Sequence, residues 1–305
     1  MRFAISIPQH YADGDFDPVE FRNYFAGVEQ LPYDSAWAHE SILSATPQLS
    51  PIETMTYAAA CTRRLRLGCA VFVSTLHSPV HLARSMATLD QLSGGRVDVG
   101  IGTGGPHRPF AAFGIGADGY LARFAESLAL IKALWTQQRV TVDGQFWQLA
   151  DAAMEPKPVQ KPHPPVWIGA AAEPALRRAV RLGDGFFGSG GSPIDLFADQ
   201  VRVVRAALAE AGRDPGEFPI AKRLYIVVDD HADRARERAR AAIAEMYGRV
   251  VPEIEAAAVA GTPIECAAAV SRTAAAGAEL ILFTTLFEPA EQAARLADEV
   301  IPRVS

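Results

Sequence analysis

Along the chain, short runs dense in β-branched and aromatic residues alternate with longer stretches whose apolar positions recur every three to four residues. The first pattern fits strands and the second amphipathic helices. Strand-type runs lie at FAISIP (3–8), DSAWA (34–38), RLGCAVFV (66–73), VDVGIGT (97–103), VWIGA (166–170), GFFGS (185–189), KRLYIVV (222–228) and ELILFT (279–284). Helix-type runs lie near 18–30, 50–63, 79–92, 119–135, 173–182, 194–211, 231–247, 263–276 and 288–299. Eight strands, each followed by helix, is the count of a (β/α)8 TIM barrel, an α/β fold. An open doubly wound sheet shares the alternation, and the count of eight favours the barrel.

Punctuation supports these boundaries. Ser78-Pro79, Ser192-Pro193 and Gly261-Thr262-Pro263 read as helix starts with proline at the first helical position. Ser93-Gly94-Gly95 reads as a helix end that needs a left-handed residue. From Gln137 to Pro165 the rhythm breaks: a hairpin-like VTVDGQFW is followed by dense prolines. This is an expected insertion (about 137–165) between the fourth helix and the fifth strand of a single barrel domain covering 1–305.

Composition narrows the function classes. The chain has 305 residues, 49% of them hydrophobic and 21% charged, an ordinary globular profile. Its formal net charge of −6 offers no basic face for nucleic acid and no polybasic membrane patch. No run approaches the roughly 20 apolar residues of a membrane span. Cys61, Cys69 and Cys266 form no CxxC pair and read as buried small hydrophobes in a reducing compartment. The opening MRFAISIPQH has too short an apolar run for a secretory signal, so a cytoplasmic location is expected. No His or acidic cluster has metal-ligand spacing, and no metal is expected.

The glycines of VDVGIGTGG (97–105) invite a dinucleotide-loop reading. That loop belongs after a first strand and opens a helix. Here the strand is the fourth, and Pro106 and Pro109 follow, which describes a loop. Two readings remain open on the residues alone. The glycines let backbone approach a flat ligand closely, or they relieve crowding in a tapering barrel interior.

The run Thr56–Gly105 carries TRRLRLG into the third strand and PVHLARSMATLDQLSGGRVDVGIG into the fourth. Together with LPYDSAWAHES (31–41) and the segment Lys157–Gly185, which contains PPVWIG and then GDG, it closely resembles the bacterial luciferase-like monooxygenase family. The resemblance covers nearly the whole chain. It implies a TIM-type barrel, a flavin-type cofactor, a small-molecule substrate and a homodimer. The cofactor is coenzyme F420 or FMN in this family, and the G-T-G after the fourth strand is similar to the F420 branch.

The resemblance also assigns positions. It implies a bulge with a non-prolyl cis peptide at Ala70-Val71, behind the middle of the cofactor ring. Glu40 falls beside the cofactor's polar edge, Val73 just beyond the bulge, and Thr103 and Gly104 along the ring. Gly169, Ala170, Ala171 and Ala172, with Gly188, Ser189 and Gly190, precede helices and suit a phosphate.

Sugar-phosphate dehydrogenases of the F420 branch carry an acid–histidine pair after the second strand and a glutamate after G-T-G. Ser41 and Gly105 stand at those histidine and glutamate positions, which argues against that activity. His10, His77 and His107 are the remaining acid–base candidates at the expected mouth, since imidazole titrates near neutrality. Phe72, Leu76, Phe110 and Phe113 suggest a hydrophobic substrate. The expected activity is hydride transfer between F420 and that substrate; an FMN monooxygenase and a non-catalytic flavin-binding barrel are the alternatives. A Schiff-base aldolase is disfavoured because Lys222 opens the seventh strand at the end away from the mouth.

Overall fold

The computed structural model describes residues 1–11, 16–44, 46–105 and 108–304. Eleven strands occur among them: β1 (Arg2–Ser6), β2 (Ser35–Ala38), β3 (Arg66–Val73), β4 (Val97–Gly102), β5 (Val140–Asp143), β6 (Gln148–Ala152), β7 (Val166–Gly169), β8 (Gly185–Gly188), β9 (Ile220–Val228), β10 (Val259–Gly261) and β11 (Leu280–Thr285). Parallel pairing runs β1-β2-β3-β4-β7-β8-β9-β11 and returns to β1, closing an eight-stranded barrel. The eight barrel strands are the eight sequence runs. β10 adds to β9 outside this circuit, in a region where the sequence pattern gave no strand.

The helices are α1 (Pro18–Val28), α2 (Pro51–Cys61), α3 (Pro79–Ser93), α4 (Tyr120–Thr136), α5 (Glu173–Leu182), α6 (Ile194–Glu210), α7 (Ala232–Tyr247), α8 (Pro252–Ala257), α9 (Pro263–Ala275) and α10 (Pro289–Arg295). Their ends follow local chemistry. Ser78 accepts a hydrogen bond from the His81 N–H at the start of α3, and Gly94 ends it at φ 68°. Thr262 and Glu265 form a reciprocal capping box on α9. α6 begins one residue later than its Ser192-Pro193 signal, with Pro193 as the cap.

The insertion contains the expected hairpin, β5 paired with β6 and joined by the four residues from Gly144 to Trp147. The Glu126 carboxylate on α4 accepts the N–H groups of Gln145, Phe146 and Trp147, holding this loop in place.

Inside the barrel, Trp37, Trp167 and Phe187 meet edge to face at 4.9–6.0 Å and pack with Ala4, Ala221, Leu280 and Leu282. Such aromatic contacts fill the interior with a rigid plug. Ala70 lies against this plug. At that level β3 is bulged: Cys69 pairs with Val99 and Phe72 with Ile101, so three steps on β3 oppose two on β4. The Ala70-Val71 peptide is cis, as the family resemblance implied.

The glycines of β4 answer to this bulge. A Cβ on Gly100 would lie 2.0 Å from the Cys69 carbonyl oxygen and one on Gly102 2.9 Å from Val71 Cγ2. Gly100 therefore serves the crowding reading. Gly104, at φ 71°, belongs to the mouth itself.

Candidate active site

Two lobes of about 570 and 600 Å³ open at the C-terminal mouth of the barrel. They share Ala70, Val71, Gly104, Arg108, Arg223 and Tyr247, so they meet over the bulge. The mouth is where βα loops converge in this fold and where ligand sites are built.

The second lobe is walled by small residues from the loops after β4, β7 and β8, including Thr103, Gly169, Ala170, Ala171, Gly188, Ser189 and Gly190. Ala172 does not line it; it caps α5 without a side-chain hydrogen bond. Pro193 likewise caps α6 without one. Both loops are braced from behind. Gln200 on α6 donates to the Ala171 carbonyl at 3.2 Å, and Lys222 Nζ reaches the Ser189 and Ser192 carbonyls. These contacts occupy carbonyl oxygens and so lower the repulsion the loops would offer a phosphate. Arg178 on α5 enters the same lobe, and its Nε is buried with no partner among the described residues.

Lys222 keeps its place near the start of its strand, in register with Ile281, the second residue of β11, yet its side chain reaches the mouth loops. On its other side Lys222 is in register with Gly188, the last residue of β8. Its side chain is directed behind the wall, over the Phe197 ring, and buried. Burial, aided by the charge of Arg223, pushes its ammonium down to about 7.

In the first lobe Glu40 is fully engaged. Its Oε2 accepts the Val73 N–H and its Oε1 lies 2.8 Å from His77 Nε2. Its side chain is 4% exposed. Glu40 therefore fixes the chain just past the bulge. Glu40→Ala is expected to destabilise the protein by about 1–3 kcal/mol, because it leaves a buried N–H unpaired. Glu40→Gln keeps an acceptor and a donor and should cost less. Urea denaturation of both variants checks the order.

The three candidate histidines part company. His10 lines the first lobe, where its Nε2 faces His39 Nε2 at 3.0 Å and the rings stack at 5.0 Å. Burial, then Arg223, lowers its pKa to about 4, and lowers that of His39 as well. Both rings are then neutral at pH 7, and the Nε2–H of one donates to the bare Nε2 of the other. His77 stands behind Glu40 and does not line either lobe. His107 lies outside the described residues.

The apolar residues read as substrate contacts do not line the lobes. Phe72 is buried in the main core, Leu76 and Phe110 pack with Val73 in a separate cluster, and Phe113 is exposed. The strand reading placed Phe72 at the mouth, but the bulge shifts β3 register beyond Cys69. Sequence reasoning missed His39, Arg178, Arg223, Tyr225 and Tyr247, all lining one or both lobes. Strict alternation along KRLYIVV, with Ala221 in the barrel interior, would have put Arg223 and Tyr225 on the inward face.

Among the described residues no cluster of His, Cys, Asp and Glu could hold a metal ion, and no helix is long and apolar enough to cross a membrane.

Similarity to known proteins agrees with this architecture. An uncharacterised protein of Mycobacterium tuberculosis is 38% identical over 54% of this chain and 58% of its own length, so the match spans little more than half of that relative. An F420-dependent glucose-6-phosphate dehydrogenase of Beutenbergia cavernae is 33% identical over 74% of this chain and 69% of its own. An FMNH2-dependent dimethylsulfone monooxygenase of Pseudomonas putida is 30% identical over 64% of this chain and 52% of its own. The solved structure of the monooxygenase RslO1 from Streptomyces bottropensis superposes over 100% of both chains with a TM-score of 0.86 at 24% identity. The profile of the luciferase-like monooxygenases matches residues 1–301, and the chain belongs to that family.

Proposed function

We propose that this protein is an oxidoreductase transferring a hydride between coenzyme F420 and a small organic substrate. The observation that carries the reading is the pair of lobes meeting over the Ala70-Val71 bulge, one suited to a phosphate and the other to a substrate. F420, when bound, supplies two-electron hydride chemistry. The chain's own residues then have positioning roles. The bulge and Gly104 support one face of a flat ring, Glu40 holds the turn after β3, and Thr103 flanks the ring. Gly169 to Ala171, Gly188 to Gly190 and Arg178 receive the phosphate, Arg178 through its unpartnered Nε.

Several relatives are named F420-dependent glucose-6-phosphate dehydrogenases. Their sugar-phosphate chemistry is not carried over here, because Ser41 and Gly105 line the lobes where an imidazole and a carboxylate would be required. FMN is the second reading of the cofactor, supported by the dimethylsulfone monooxygenase relative, and it would bring oxygen chemistry to the same lobes. A homodimer is part of the same proposal.

Titration of the purified protein with F420 and with FMN tests the assignment. Saturable binding of F420 tighter than FMN is expected, and Arg178→Gln should weaken it about tenfold through loss of one charge-assisted hydrogen bond. Tighter FMN binding would replace the deazaflavin while leaving the site in place. Failure of both cofactors to bind would end the proposal.

A further inference from the structure

The first lobe is basic at a place where the chain as a whole is acidic. Its wall carries Arg108, Arg223 and Arg249, against one carboxylate, Glu40. Both Glu40 oxygens are already taken by the Val73 N–H and His77. The His10–His39 pair adds no positive charge at neutral pH and no negative charge at any pH. Among the described residues, Arg108, Arg223 and Arg249 have no ion pair. The formal charge of the whole chain is −6, so this local excess is not a reflection of overall composition.

Arg223 is the best-held of the three. Its Nε donates to Thr284 Oγ1 at 2.8 Å, and its guanidinium lies 4.6 Å from the centre of the Tyr225 ring. Anchored on one edge and stacked on one face, it has little freedom left to lose on binding. Its Nη2 is buried and has no partner among the described residues. A buried donor on a permanent cation is costly to leave unpaired, and a planar bidentate acceptor answers it best.

We propose that the substrate is a small organic acid whose carboxylate is bound by Arg223, with Arg249 and Arg108 contributing at the rim. This replaces the hydrophobic substrate suggested by the sequence, and it rests on the reading above in which the other lobe holds the cofactor. Arg223 lies in the lining of both lobes, so an acid held there would be presented at their junction, over the bulge.

Calorimetric titration with hexanoate and benzoate, each beside its neutral amide, tests this in zwitterionic buffer at pH 7, with and without saturating F420. Each acid is expected to bind at least tenfold more tightly than its amide, in the presence of F420 as in its absence. Arg223→Gln should reduce that preference to less than twofold, and Arg249→Gln, on the exposed rim, should reduce it several-fold. Arg202→Gln, at an exposed arginine of α6 that lines neither lobe, should leave it unchanged. Circular dichroism establishes that each variant is folded. Equal binding of acids and amides, no binding of either acid, an unaltered preference in Arg249→Gln or in folded Arg223→Gln, or its loss in Arg202→Gln would overturn the proposal. Displacement of the acids by F420 would also overturn it, by putting both ligands in one place. Failure of the cofactor reading is seen separately, as absence of F420 and FMN binding in direct titration, whatever the acids do.

Discussion

Gly100→Ala is expected to destabilise the barrel by about 3 kcal/mol or more, at the upper end of what overpacking a rigid core costs. The added Cβ would be built 2.0 Å from the Cys69 carbonyl oxygen, with Val71 Cγ1 at 3.3 Å. The first of these is backbone in a paired strand, so it cannot swing aside as a long side chain would. Relief requires β3 and β4 to separate where Cys69 pairs with Val99, next to the bulge. The midpoint of urea denaturation should fall with the slope unchanged. The result also separates two reasons for the glycine run. A glycine kept for close approach to a flat ligand would lose ligand affinity and leave stability nearly intact. Stability equal to wild type after Gly100→Ala would favour the ligand-approach reading of the run.

Lys222→Met should change the pH dependence of stability more than any other single substitution proposed above. In the folded protein the ammonium titrates near 7, pushed down by burial and then by Arg223, whereas an unfolded lysine keeps its ordinary value near 10.5. Between those values the unfolded chain holds a proton that the folded chain has released. Raising the pH through this window therefore favours the fold, by at most about 1.4 kcal/mol per pH unit. The contribution is fully present above the unfolded value and lost as pH falls through 7. Methionine has similar reach and no titration, so the difference in unfolding free energy should move toward wild type from pH 7 to pH 10. Equal slopes for the two proteins would contradict the assigned environment of Lys222. The substitution also unties the Ser189 and Ser192 carbonyls, and if the phosphate of the proposed cofactor sits against these loops, its binding should weaken roughly tenfold, the worth of about one net hydrogen bond.

Much of the scaffold was legible before the structure. The strand runs and helix starts depend on periodicity and capping, which act within a few residues, and elements such as Thr262–Glu265 and Gly94 behave as their neighbours dictate. The bulge at Ala70-Val71 was legible only through family resemblance, since RLGCAVFV reads by itself as plain barrel filler. The hairpin after α4 was legible from its local pattern, but the hold of Glu126 on its turn, from nearly twenty residues upstream, was not.

The candidate site was less legible, and the gaps share a cause. Lys222 does stand near the start of β9, paired with Ile281, but its long side chain reaches the Ser189 and Ser192 carbonyls in the loop after β8, which strand position alone does not show. His10 and His77 looked equivalent as residues past strand ends. One is paired with His39 inside the lobe and the other backs Glu40 outside it. Arg178 sits inside a helix whose residues read as an ordinary amphipathic segment, and only loop convergence brings it to the second lobe.

By itself, then, the amino-acid order determined where helices and strands form, how many enter the barrel and where family-like backbone features fall, because hydrogen bonding and apolar periodicity are properties of near neighbours. Tertiary structure alone decided which side chains share a cavity, which arginines stand without a carboxylate and which groups burial drives toward neutrality. Those depend on desolvation and on Coulomb interactions between residues far apart in the chain, and both are set by barrel closure and stagger.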